Sequence, residues 1–425
     1  MDAPATASRE PAADAAAAAG RHGGPASARA AGSVPDVVAP PSGNPRFPVL
    51  DSVRAVSALS IVTVHCAIWG GASGNWYWPL VSHLDVGVPV FFLLSGFLLY
   101  RPMLGARVLG TPSAPVLVYA RRRFLRIMPA YWVALTVLAI VTPISGVFSG
   151  NWWVYYGLLQ NYPIYQPGAD CVGVGQLVCG ISPTWSLAIE VAFYAWLPVF
   201  AFAMAWLTSR LRRRWLSIEL AVLAALAAIS FYIQAGFSGA STYKWFFFSP
   251  LGRAWWFGLG MAIAALSVWV QQRGSRPRAV SWIADHPGAL WAGALGVFLL
   301  TGGLMLSAGP LLAAPVGITT SEYLAAYALA GVLGVLAILP GVFGGDRRDR
   351  VRRAARHPVL AWLGLISYGI FLYHYPIILG LVDLGLPGWW EAGSFPMLLL
   401  ATVGLTIACA ALSYYLIERR LMRWK

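Results

Sequence analysis

Residues 50–66 read LDSVRAVSALSIVTVHC. Carried on to about residue 69, this run is long enough to cross a bilayer, which takes roughly 20 apolar residues. Yet it holds two ionisable side chains, Arg54 and His65. They are eleven residues apart, almost three full turns at about 100° per residue. Both therefore face one side of the helix, roughly 16 Å apart along its axis. Ionisable groups at membrane depth are costly and mark function by default. Two readings of the pair stay open: a working face, or a snorkelling Arg beside a His bonded to a neighbouring helix.

The rest of the chain fits the same solvent. Of 425 residues, 58% are hydrophobic and 11% charged, against about 25% charged in soluble domains. That balance excludes a soluble enzyme and a disordered regulator. The reading is an all-α polytopic membrane protein with ten spans, at about 50–69, 84–102, 125–147, 183–207, 218–235, 250–271, 288–307, 322–343, 359–381 and 396–417. Residues 151–162 (NWWVYYGLLQNY) are too short and too aromatic to span and read as an interfacial belt. Residues 1–45 are rich in Ala, Pro, Gly and Ser and read as a disordered tail, without a signal-peptide pattern; 46–425 form the membrane domain.

Charge tests that count. The net charge is +14, from 30 Lys and Arg against 16 Asp and Glu. In a soluble protein this would suggest nucleic acid; here topology explains it, and no nucleic-acid partner is expected. With ten spans, only Lys244 and Arg253 of the 30 basic residues fall on one of the two sides. The positive-inside rule then places both termini in the cytoplasm, with the chain in a bacterial cytoplasmic membrane. The long outer loop, 148–182, has no Lys or Arg and holds Cys171 and Cys179, which either pair or stay free thiols. Cys66 and Cys409 read as small core residues. No CxxC or Cys/His cluster points to a metal site.

Three more ionisable groups lie in spans: Asp85, Glu190 and His374. Glu190 is about seven residues into the fourth span and His374 about fifteen into the ninth. Opposite chain directions bring both to the depth of His65. A neutral imidazole with a carboxylate partner is the usual form of a general base. Alternatively, each His bonds a Tyr such as Tyr368 or Tyr373. Pro376, two residues on, frees a backbone carbonyl nearby. In RRRFLR, residues 121–126, Arg122, Arg123 and Arg126 flank one helix face, suited to a polyphosphate or to the anionic lipid surface. Asp85 with Gly87 reads as a helix cap, Ser95-Gly96 as a close helix contact, and Trp185 and Ser186 as the opening of the span that carries Glu190.

In order, RFPVLDSVRAVSALSIVTVH, VPVFFLLSGFLLYRP, RRRFLRIMPAYW, TWSLAIEVAFY, ISYGIFLYHYPI and YYLIERR resemble the integral-membrane acyltransferase family three over nearly all of 46–425. The resemblance implies transfer of an acyl group, often acetyl, from cytoplasmic acyl-CoA to a hydroxyl of a cell-surface or secreted carbohydrate. It implies His65 as the catalytic histidine with Glu190 orienting it. Arg54, Arg122, Arg123 and Arg126 would hold the CoA end, and Asp85, Ser95, Trp185, Ser186, Tyr373 and His374 would line the substrate site. Val191 and Ala192 stand where the family often has a second acid and a Gln, and Leu421 follows Arg420 where a Pro is common. No esterase-like domain follows the last span, so the acceptor is expected to be met directly or through another protein. A glycosylated secondary metabolite such as a macrolide is the alternative acceptor, and the excess of Arg over Lys suggests a high-GC bacterium, where either occurs. From other classes, a transporter or flippase shares ten spans and buried polar groups, and His65 with His374 would also suit the axial positions of a haem.

Overall fold

The computed structural model describes residues 47–111, 114–141, 147–148, 150–162, 180–236, 244–304, 318–344, 349–386 and 394–424. The expected tail over 1–45, Cys171 and Cys179 lie outside them. Among the described residues all regular structure is helical. The long helices are α1 Pro48–Trp69, α2 Gly87–Leu109, α3 Val116–Val141, α4 Trp185–Thr208, α5 Trp215–Ala235, α6 Ala254–Arg273, α7 Pro287–Leu304 and α8 Thr320–Phe343. Then follow α9 Pro358–Leu365, α10 Ser367–Asp383 and α11 Ser394–Ser413.

Among the described residues nine spans are long and apolar enough to cross a membrane, and α9 with α10 pass the same test only as a pair, bent by 68° at the break between them, which makes ten if the pair is one span. The ten fall on the ten apolar runs. The largest departure is α3, which begins at Val116 rather than near residue 125, so the whole RRRFLR run is helical. An apolar run marks where lipid is. The helix's own i→i−4 hydrogen bonds continue past that limit as long as its arginines reach water or headgroups.

Alpha-helical backbones touch where side chains vanish. A Cβ on Gly96 of α2 would collide with the Phe257 carbonyl of α6, and one on Gly260 of α6 with the Leu93 carbonyl of α2. The expected close contact at Ser95-Gly96 is thus a reciprocal one, the device that membrane helices use to approach without a hydrophobic drive. Around it Phe92 stacks on Phe257 at 4.7 Å between ring centres, and Phe257 on Phe193 at 4.0 Å.

Helix α1 is central, packed against α2, α8, α9, α10 and α11. Its first turn is locked by α9, where Gly364 lies against the Asp51 backbone. It is also locked by the short helix Arg350–Ala355, whose Ala355 carbonyl accepts from Ser52 Oγ. Asp349 caps that short helix by accepting from the Arg352 amide at 2.8 Å, and buried Arg352 donates from Nε to the Pro340 carbonyl at 3.0 Å. Burial pushes the Asp349 carboxyl up, but the Arg352 amide and guanidinium outweigh it and hold the group below the usual carboxylate range. Glu219 of α5 is fully buried against Arg107 and Tyr100 of α2. It joins α5 to α2 at the arginine-rich end and answers its own charge there.

The aromatic segment after α3 holds a short helix, Trp152–Tyr156. Trp152 and Trp153 face outward while Val154 and Tyr155 are buried. Tyr131 Oη donates to the Tyr155 carbonyl at 2.7 Å and Trp132 Nε1 to the Tyr156 carbonyl at 2.9 Å, fastening the segment to α3.

Candidate active site

A cavity of about 240 Å³ opens among α1, α2, α3, α4 and α10. At one end it is lined by Arg54, Arg101, Arg123 and Arg126; at the other by Val88, Phe91, Ser186 and Phe371. The near end is basic because three helices bring their arginine-rich ends together there. The far end is apolar because it is made from the first two turns of α2, the first turn of α4 and the second turn of α10.

Arg123 and Arg126 line the cavity, but Arg122 is exposed and does not. On a helix Arg122 and Arg123 stand about 100° apart, on opposite flanks of Arg126. Only the Arg123 flank turns inward. The sequence gives the stripe but not which flank the bundle covers.

Ser95 and Glu190 line the cavity midway. Glu190 Oε1 accepts from Ser95 Oγ and, at 2.5 Å, from Tyr194 Oη. Arg54, Arg123 and Glu190 are electrostatic neighbours. The carboxylate therefore answers the arginines and two hydroxyls, and the hydrogen bond expected between it and His65 is not formed. Equal depth was the basis for that expectation. Depth fixes the level of a residue and leaves open which helix its side chain turns toward.

His65 pairs instead with His374: its Nδ1 lies 3.0 Å from His374 Nε2, with the rings 5.1 Å apart between centres. His374 is fully buried, and its Nδ1 lies 2.7 Å from the Phe371 carbonyl, one turn back on α10. Neither Tyr368 nor Tyr373 takes that place. Tyr368 Oη donates to the Ile127 carbonyl at 2.9 Å, and Tyr373 packs in the apolar cluster around Tyr131. Tyr375 stands edge-on to His65 at 5.3 Å. Two imidazole nitrogens 3.0 Å apart cannot flank an iron, which needs about 4 Å, twice a metal–imidazole bond of about 2.0 Å. The haem reading is set aside on that distance.

His65 itself does not line the cavity. Gly87 lies against Ser57, Ser60 and Ile61 of α1, so Val88, the far wall, is level with Ile61. The cavity stops about one helical turn short of His65. Ser186 is in the far wall, its Oγ bonded to the Pro183 carbonyl at 3.0 Å. Trp185 turns aside, edge-on to Phe248 at 5.1 Å. Asp85 is buried in a turn of 3-10 helix before α2 and does not line the cavity. That turn runs directly into α2, and Val86 rather than Asp85 holds the N-cap position, in helical geometry.

Two residues at this site escaped the sequence reading. Tyr194 sits one turn after Glu190 on the same face, and that spacing was the signal. Glu418 is buried and faces Arg54 and Arg126 from the last helix, where a π-helical turn, Tyr414–Glu418, carries it. No helical wheel with 3.6 residues per turn would have aimed it there.

The chain is similar to several known proteins. Residues 47–416 match the family model described as "Acyltransferase domain". Nodulation protein 10 of Rhizobium leguminosarum bv. viciae is 24% identical over 401 residues, 88% of this chain and 92% of that protein. Acyltransferase MdmB of Streptomyces mycarofaciens is 24% identical over 89% of this chain and 92% of its own. The peptidoglycan O-acetyltransferase OatA of Listeria monocytogenes serovar 1/2a is 24% identical over 87% of this chain, which spans only 55% of that relative. No solved structure matches the chain. Family membership displaces the carrier reading, and with a match over residues 47–416 the chain belongs to the membrane acyltransferase family that this domain defines.

Proposed function

We propose that this membrane acyltransferase moves an acyl group, acetyl in the simplest case, from acyl-CoA to a hydroxyl of a carbohydrate or glycoconjugate. The observation that carries this reading is the cavity: arginines at one end, an imidazole pair one turn beyond the other. CoA is large and polyanionic and suits the arginine-rich end, which the positive-inside rule assigns to the cytoplasm. Its pantetheine arm is thin enough for a narrow passage and would carry the thioester toward His65. The Listeria relative, a peptidoglycan O-acetyltransferase, supports a carbohydrate acceptor in the cell envelope.

In the proposed step His65 takes the proton of the acceptor hydroxyl as its oxygen attacks the thioester carbon. The new C–O bond forms, the C–S bond breaks, and the imidazolium returns the proton to the departing sulfur. No electrons are gained or lost. Arg54, Arg123 and Arg126 hold the donor's phosphates, and Glu190, itself held by Ser95 and Tyr194, balances the charge of Arg54 and Arg123.

The test supplies membranes with acetyl-CoA labelled in the acetyl group. Wild-type protein is expected to release free CoA and place label in envelope carbohydrate. His65→Ala is expected to abolish both while expression and membrane insertion stay intact. Label appearing in a small glycosylated metabolite would overturn the envelope acceptor, and wild-type turnover in His65→Ala would overturn the proposed base.

A further inference from the structure

The hydrogen-bond pattern at the two histidines fixes where their protons are. A backbone carbonyl only accepts, so the His374 nitrogen facing the Phe371 carbonyl, Nδ1, must carry a proton. A neutral imidazole has one protonated nitrogen, so His374 Nε2 is an acceptor. The nitrogen that meets it, His65 Nδ1, must then donate. That leaves His65 Nε2 with the bare lone pair. Resting on the role of His65 proposed above, we propose that His374 is a positioning residue that selects the Nδ1–H tautomer of His65 and so makes Nε2 the base.

The arrangement replaces the carboxylate that usually orients a catalytic imidazole with an imidazole anchored on a peptide carbonyl. This suits a site in hydrocarbon. A carboxylate beside His65 would be a permanent charge at a depth where charge is costly. Neutral His374 supplies the same acceptor without one. When His65 takes up the acceptor's proton on Nε2, its Nδ1–H stays donated to His374 Nε2, and that bond strengthens as the ring becomes cationic. The imidazolium then gives this proton to the departing thiolate, and both charges are neutralised. Pro376 fits the same logic. It lacks the N–H that would bond the Leu372 carbonyl, loosening this turn of α10 where His374 folds back on Phe371.

Two measurements test this. In wild-type protein with ¹⁵N-labelled histidine, nitrogen shifts are expected to show His65 protonated at Nδ1 and bare at Nε2. The opposite tautomer would overturn the proposal whatever the catalytic results. In the transfer assay, His374→Leu is expected to lower kcat by about 100-fold with little change in KM for acetyl-CoA. His374→Gln keeps an amide oxygen for the His65 N–H and is expected to recover at least tenfold of that loss. Wrong-tautomer losses reach about 10⁴ where an orienting group is disabled. Wild-type kcat in His374→Leu, or no recovery in His374→Gln with His65 protonated at Nδ1, would overturn it. Loss of activity in His65→Ala bears only on the base itself.

Discussion

Arg54 is the residue that would tie the first helix to the proposed donor. It lines the cavity beside Arg123 and Arg126 and is set three turns from His65 on one helix face. Charge-assisted hydrogen bonds contribute about 1.5–3 kcal/mol each. Arg54→Ala is therefore expected to raise KM for acetyl-CoA roughly tenfold to a hundredfold with a smaller effect on kcat, read from initial rates over a donor series. Arg54→Lys keeps the charge but loses the planar fork, and is expected to fall between the two. A KM unchanged in Arg54→Ala would take this guanidinium out of the donor site. Gln in place of His374 asks a different question, about the proton rather than the phosphate, so the two sets of variants separate donor capture from base orientation.

Between elements, the contact of α2 with α6 is close and reciprocal. Gly96→Val places two methyls against the Phe257 carbonyl, and overpacking of this kind costs typically 1–3 kcal/mol. The expected outcome is a lower unfolding midpoint in detergent together with lost activity, because Ser95 next to it moves with α2. At the loop before α9, Asp349→Ala removes a helix cap worth about 1 kcal/mol and the partner of Arg352. The Asp349 carboxyl titrates below its ordinary value in the folded chain. Its contribution is therefore complete above the unfolded carboxylate range, about pH 4, and is lost as pH falls through the lower folded value. The difference in midpoint between wild type and Asp349→Ala is expected to be present at pH 7 and to shrink below about pH 4. The spans themselves were legible because lipid demands about 20 apolar residues and backbone bonds made within one segment. Arg54 and His65 were legible because both sit on one regular helix. Contacts between helices were not: His374 rather than Glu190 faces His65, and Arg123 rather than Arg122 faces inward. Sequence periodicity gives each side chain an angle about its own axis, and the rotation of one axis against the next comes only from packing.

At the scale of the whole molecule, the proposed ten crossings would return the chain to the side on which it began. Reporter fusions test which side that is. An alkaline phosphatase placed after Ser241 is expected to be active, outside the cell, and one placed after Ser275 inactive, inside it; the reverse pattern would invert the proposed course of the donor. Phe371 has a consequence at this scale. It lines the passage while its carbonyl grips His374, and α10 bends by 68° against α9 just before it. Whatever presses on Phe371 reaches the imidazole pair through a single residue. A ligand in the conduit that displaced Phe371 would thus be felt at the proposed proton-accepting nitrogen before any bond is made or broken.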